Sequence, residues 1–465
     1  MAAVSKIEFE PPNGGWEAWR TVFGSFLLQT SSYGYVTACG VFTLYYKQVM
    51  LPEYSASQLG WIATIAVFLI FGFGIPIGAL VDRYGTRPVV APFVALGIVS
   101  LGLLSLCKTY WQIVLSQGVA FGLACSGTTL PAVICVTQWF STRRGLAVGL
   151  ASSGSSFGGL IFPIMVSRLI NSHGFKTAIH WSTLVVGCCM IVGLICCEGP
   201  FPPKRMAALQ EKEAIVNHSS ESSKLADPSV ESSRSDEQHD PNNLGVPCSI
   251  EDTATPDQPA SKDLGMRHNL IPWIAFCLGV FCCTFSLLVP FDYLPSIALE
   301  AGMDRDLSQY TLAMINAGSM IGRIVPGFIS DHVGQFNIMA LVTTLSAITL
   351  LVIWLPVYYF PTNGGIIFFA LAYGFVSGGY TSLLSPCVVA LVDGQVTGLG
   401  LKFGVACLCL AFGALVGIPV SGAVADKTGN WGGLIGLSGS MMALGALAFI
   451  FSRVQMGGWK LMTKV

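Results

Sequence analysis

Arg323 is the only charged residue in the apolar run from Tyr310 to Ser330. Burying a cation in hydrocarbon costs about 2.5–3.5 kcal/mol even on mild insertion scales, so a partner or a water-filled cavity is expected to face it. Its planar two-pronged donor matches a carboxylate; the alternative is a structural guanidinium that snorkels to the end of the run or bonds Asp331. The polar side chains placed to share a cavity with it are Tyr33, Thr37, Tyr293, Asn316, Ser319, Tyr380 and Ser385. A Tyr or Asn among packed helices serves equally as an interhelix hydrogen bond, so each of these alone carries little. The nearest acid in an apolar run is Asp292, which reads either as a proton site or as a carboxylate at headgroup level.

Other chemistries find no support. The six histidines (His173, His180, His218, His239, His268 and His332) fall in loops or at the ends of apolar runs. There is no HExxH, no pair of aspartates in adjacent runs and no GxxxxGK[ST] phosphate loop, which argues against a membrane-embedded enzyme and an ATP-driven pump. Most of the fifteen cysteines, such as Cys188, Cys189, Cys282 and Cys283, sit inside apolar runs as small packing residues. No CxxC pairing suggests a metal, so no metal and no cofactor are expected. A formal net charge of -1 gives no reason to expect nucleic acid.

The elements that must position Arg323 follow from composition. Apolar residues make up 53% of the chain and charged residues 11%, against roughly 25% charged in soluble domains. A helix needs about 20 mainly apolar residues to cross a bilayer. Twelve such runs can be marked, at 22–46, 59–81, 89–107, 111–139, 146–167, 179–197, 270–291, 310–329, 338–357, 366–391, 400–425 and 433–451. The expected fold is therefore an all-α membrane protein of twelve transmembrane helices in two six-helix halves. The expected parts are a cytoplasmic N-terminal segment (1–20), a first half (21–198), a linker (199–268), a second half (269–452) and a cytoplasmic tail (453–465). The linker is rich in Ser, Glu, Asp, Pro and Asn and cannot bury enough apolar surface to fold alone. The first twenty residues lack the apolar core of a signal peptide. Arg83, Arg87, Arg143, Arg144, Arg453, Lys460 and Lys464 on one side outweigh Lys47, Lys108, Lys176, Arg305 and Lys427 on the other, which favours cytosolic termini.

The chain repeats itself. Gly78-Ala-Leu-Val-Asp82-Arg-Tyr-Gly85 after the second run recurs as Gly327-Phe-Ile-Ser-Asp331-His-Val-Gly334 after the eighth, and as Gly422-Ala-Val-Ala-Asp426-Lys-Thr-Gly429 after the eleventh. Such spacing is expected if each half is itself a 3+3 inverted repeat. Gly118 and Gly122 in the fourth run, matched by Gly374 and Gly378 in the tenth, allow helix backbones to approach closely.

The loop Gly78-Ala-Leu-Val-Asp82-Arg83-Tyr-Gly85-Thr-Arg87 resembles the signature loop of the major facilitator superfamily. The resemblance implies a conformational latch built on Gly78, Asp82, Arg83, Gly85 and Arg87, with Asp331 as its counterpart. Asp82 would meet a helix N-terminus, and Arg83 and Arg87 would pair across the halves. More narrowly, Pro12-Asn13-Gly14-Gly15-Trp16-Glu17-Ala18-Trp19, Trp139-Phe140-Ser-Thr-Arg143-Arg144-Gly145 and Gly322-Arg323-Ile-Val-Pro326-Gly327 resemble the monocarboxylate porter family, the fungal-type members most of all. That family's arginine binds the substrate carboxylate, which carries over to Arg323. Two departures stand out, because its best-known members have an aspartate where this chain has Ser319 and a lysine where it has Thr37.

The resemblance thus implies a secondary transporter of a small organic acid or acidic metabolite, in which a co-transported proton must use another acid or proton coupling is absent, and no accessory subunit is indicated. Export of a fungal secondary metabolite and transport of a riboflavin-like vitamin are the alternatives. Family habit places such a carrier in the cell membrane, with the vacuolar membrane second.

Overall fold

The computed structural model describes residues 12–200, 264–392 and 399–458, and every regular element among them is helical. Ten helices are long and apolar enough to cross a membrane. They are Thr86–Leu104, Tyr110–Trp139, Arg144–His173, Phe175–Cys196, Leu270–Glu300, Leu307–Val333, Gln335–Tyr359, Asn363–Leu391, Leu399–Thr428 and Trp431–Gly457. An eleventh crossing is the pair Gln58–Gly72 and Gly74–Tyr84, bent by 40°. The remaining one comes first in the chain and is the most interrupted: Trp16–Ser31, Tyr33–Val36, Cys39–Tyr45 and a wider turn at Tyr46–Met50. Counted along the chain these are spans one to twelve, six on each side of the segment 201–263. The first helix begins at Trp16, inside the segment expected to precede the membrane. Most of the expected linker at 199–268 lies outside the described residues, although the helix Leu264–Leu287 already covers its last few positions.

The breaks have local causes. At Ser32 the backbone leaves helical geometry (φ -95°, ψ -92°), while the Ser32 hydroxyl bonds the Leu28 carbonyl at 2.5 Å and meets Thr129 Oγ1 of span four at 2.8 Å. Ser and Thr hydroxyls compete with the helix for its own carbonyls. Thr37 Oγ1 does the same with Gly34, at 2.6 Å. Span seven is interrupted at Leu288, where Pro290 follows and cannot donate to the carbonyl one turn back. Its outer piece, Val289–Glu300, is thus a separate short rod.

Spans one to six pack on one another, as do seven to twelve, and the halves meet mainly where span two lies on eleven and span five on eight. Span four is buried over 83% of its apolar window and span six over only 33%, which puts four at the centre and six against lipid. Span one begins and span twelve ends at the same face of the bundle, called here the terminal face.

Candidate functional site

Two seams join the halves. In both, a carboxylate at the end of one helix caps the start of a helix in the other half. Asp82 accepts hydrogen bonds from the backbone N–H groups of Gly400 and Leu401, both at 3.0 Å. Asp331 accepts from Gly145 at 2.7 Å and Leu146 at 3.0 Å. Helix N-termini expose unsatisfied donors and carry partial positive charge, so a carboxylate is the fitting acceptor. One turn back, glycine faces glycine: a Cβ on Gly78 would strike the Gly400 carbonyl, and one on Gly145 would strike the Gly327 carbonyl. Gly85 has φ +82°, which only glycine adopts without strain, and it turns the chain directly from span two into span three.

Arg323 lies farther along the seam of spans five and eight, eight residues before Asp331 on span eight. Its Nη1 donates to the Ser152 carbonyl at 2.8 Å and to Ser155 Oγ at 2.5 Å, both on span five. Its Nε reaches Ser319 Oγ at 3.4 Å, and Ser319 in turn accepts from Ser156 Oγ at 3.1 Å. Among the described residues no carboxylate comes within 4.0 Å of it. The guanidinium is held by neutral acceptors, Ser152 and Ser155 of the opposite half and Ser319 of its own span. Snorkelling to Asp331 is not what happens, because Asp331 is committed to the start of span five.

Toward the far face the halves part. Tyr33 on span one is half-buried and lies within electrostatic reach of both Arg323 and Asp292. Asp292 sits on the outer rod of span seven, eight residues short of the end at Glu300, facing span one. It is surrounded by protein yet solvent-accessible, and its carboxylate has no side-chain partner among the described residues. Arg323 and Tyr33, partly exposed, and Asp292, exposed, thus mark a cleft between the halves on the side away from the capped seams.

Several expected cavity residues lie elsewhere. Tyr380 is 1% exposed and its hydroxyl is spent within its own half, on Thr284 Oγ1 at 2.9 Å and the Val280 carbonyl at 3.2 Å. Tyr293 donates to the Ile418 carbonyl at 3.2 Å and packs on Trp431. Asn316 is buried in the seam, bonded to Leu312 and pressed against Gly159. Thr37 serves its own helix, and Ser385 is buried. Of the expected contacts, Tyr33 and Ser319 are the two that stand beside Arg323.

Among the described residues Arg83 and Arg87 make no ion pair across the halves. Arg83 lies over the Tyr84 ring, and Arg87 forms an ion pair at 3.2 Å with Glu198, which also binds Arg20 at 3.2 Å. Glu198 follows span six, which packs directly on span three. Sequence reasoning also missed Ser152, Ser155 and Ser156, for which the dense run Ser152-Ser-Gly-Ser-Ser156 inside an apolar span was the signal. It missed Asn13 as well, which ties the entry segment to the loop before span five. Its Oδ1 accepts from the backbone of Ser141 at 2.6 Å and Thr142 at 3.0 Å, and its own N–H donates to the Trp139 carbonyl at 3.0 Å.

A family model described as Major Facilitator Superfamily matches residues 21–408. The MFS-type transporter hasB of Aspergillus fumigatus is 44% identical over 465 residues, covering 100% of this chain and 95% of that one. The fujikurins efflux protein of Gibberella fujikuroi is 32% identical, over 96% of this chain and 84% of that one. Among solved structures, the E. coli fucose:proton symporter FucP superposes with a TM-score of 0.60 at 16% identity, covering 94% of this chain and 98% of that chain.

Proposed function

Because the chain belongs to the major facilitator superfamily, whose members carry small molecules across membranes by alternating access, we propose that it is an efflux carrier for an organic acid, with Arg323 as the anion site. The observation that carries this reading is the guanidinium at the cleft floor, bonded only to neutral groups. A positive charge with neutral partners favours a carboxylate over a neutral or cationic ligand. Tyr33, packed at 5.8 Å on Phe71, gives the cleft an aromatic wall suited to an acid with an apolar body. Export rather than uptake is supported by relatives named as efflux proteins.

Asp292 is the proton site in this reading. When ionised it repels an anion at Arg323; when protonated it does not, so acid and proton leave together. The metabolite's own gradient then drives export, and a monocarboxylate-porter-like mechanism survives without that family's aspartate and lysine. Gly78, Asp82, Gly85 and Asp331 hold the terminal face closed in this state, with that face in the cytosol and the chain in the cell membrane.

The test is efflux from proteoliposomes loaded with labelled aliphatic and aromatic monocarboxylates, with riboflavin as a vitamin comparison. Saturable efflux that quickens when the lumen is acidified is expected. Arg323→Ala should lower it at least tenfold, and Asp292→Asn should abolish its acid stimulation. Riboflavin flux with no acid flux would overturn the anion reading.

A further inference from the structure

A second cavity lies away from the cleft, on the far face of the second half, among spans seven, nine, ten and twelve. It has a volume of about 350 Å³. Glu300, the last residue of the outer rod of span seven, stands at its rim, and Trp431, Tyr358 and Tyr359 line it. Glu300 Oε2 accepts the Trp431 indole N–H at 2.5 Å, and the Trp431 backbone N–H donates to Tyr358 Oη at 3.3 Å. These bonds fix the carboxylate against an aromatic ring. The Tyr358 and Tyr359 rings stand 5.1 Å apart. Among the described residues no lysine, arginine or histidine comes within 4.0 Å of Glu300. Below them Trp354 is 1% exposed, and its indole N–H has no partner among the described residues.

A carboxylate without a counter-ion, set among aromatic rings over an apolar floor that includes Ile297, is the chemistry that holds an organic ammonium group. Ring faces attract a cation that sheds water readily, and the carboxylate neutralises it. We propose that this cavity is a binding site for an organic ammonium compound, distinct from the anion site in the cleft. The ammonium could belong to a soluble amine or to a lipid headgroup of the outer leaflet. Glu300 and Asp292 ride on the same short rod of span seven, so an occupant of the cavity would restrain the segment that must move when the cleft closes.

The probe is benzyltrimethylammonium, followed by saturation-transfer NMR on the full chain in phosphatidylglycerol nanodiscs, which offer no ammonium headgroup. Saturable binding is expected, at least tenfold tighter than that of neutral benzyl alcohol. Glu300→Gln should remove the preference for the cation. Tyr359→Leu, at an exposed ring whose loss the fold tolerates, should weaken binding at least threefold. Phosphatidylcholine nanodiscs separate the sources: competition that abolishes probe binding assigns the site to a lipid headgroup, and undiminished binding assigns it to a soluble amine. No saturable binding in phosphatidylglycerol, or a cation preference that survives both substitutions, overturns the proposal.

Discussion

The two seams are built on one plan and differ in one respect. Asp82 caps span eleven as Asp331 caps span five, and Gly78 meets Gly400 as Gly327 meets Gly145. One further turn along, Arg323 stands as far before Asp331 as Gly74 stands before Asp82, and Gly74 packs on Gly404 and Cys407. The partners diverge in register too: Ser152, Ser155 and Ser156 of span five correspond to Cys407, Leu410 and Ala411 of span eleven. One seam therefore carries glycine, cysteine and apolar residues at these positions. The other becomes polar at the depth where a substrate would sit. In the proposed reading, a symmetric scaffold acquires its site by exchanging small and apolar residues for polar ones along one of two equivalent lines.

The largest expected effect breaks that asymmetry. Arg323→Met keeps the length of the side chain and removes its charge, so flux should fall at least tenfold, whereas Cys407→Ser, at the place in the other seam that mirrors Ser152, should leave it within twofold. Equal losses in a transport assay would mean that the seams do not divide the work.

Glycine substitution tests what the seams share. Gly145→Val and Gly78→Val each force a side chain onto backbone, and overpacking of this kind costs about 1–3 kcal/mol. Both should shift the protein toward the state open at the terminal face, read as faster thiol labelling of a cysteine introduced at the buried positions Ala147 or Leu399. A seam that stays protected would show that its closure does not depend on backbone contact.

The smallest effect concerns the caps. Asp82→Asn and Asp331→Asn keep an acceptor and lose the charge that complements a helix N-terminus, a contribution of about 0.3–2 kcal/mol. Each should raise the same labelling rate severalfold at most. A loss of folding in either would assign that carboxylate a heavier task than capping.

Much of this was legible beforehand. Length and hydropathy gave the spans because a bilayer demands runs of a fixed length, and the repeated Gly-x-x-x-Asp marked the ends where helices of different halves touch. The lone charge in span eight was conspicuous because hydrocarbon makes it costly. Which way each polar residue points was not legible. Apolar faces in a membrane look alike toward lipid and toward protein, so Tyr380 and Tyr293 could not be told from cleft residues. The same ambiguity hid Ser152 and Ser155, whose meaning depends on Arg323 approaching from another half of the chain. The pairing of Arg87 with Glu198 depended on adjacency of spans three and six, which no local pattern encodes.

Backbone laid against backbone at Gly78 and Gly400, and again at Gly145 and Gly327, leaves no room there for a file of water molecules. Along these two contacts protons have no wire to follow past the terminal face. The glycine contacts thus act as insulation: they let the protein expose a charged site to one compartment without short-circuiting the membrane it sits in.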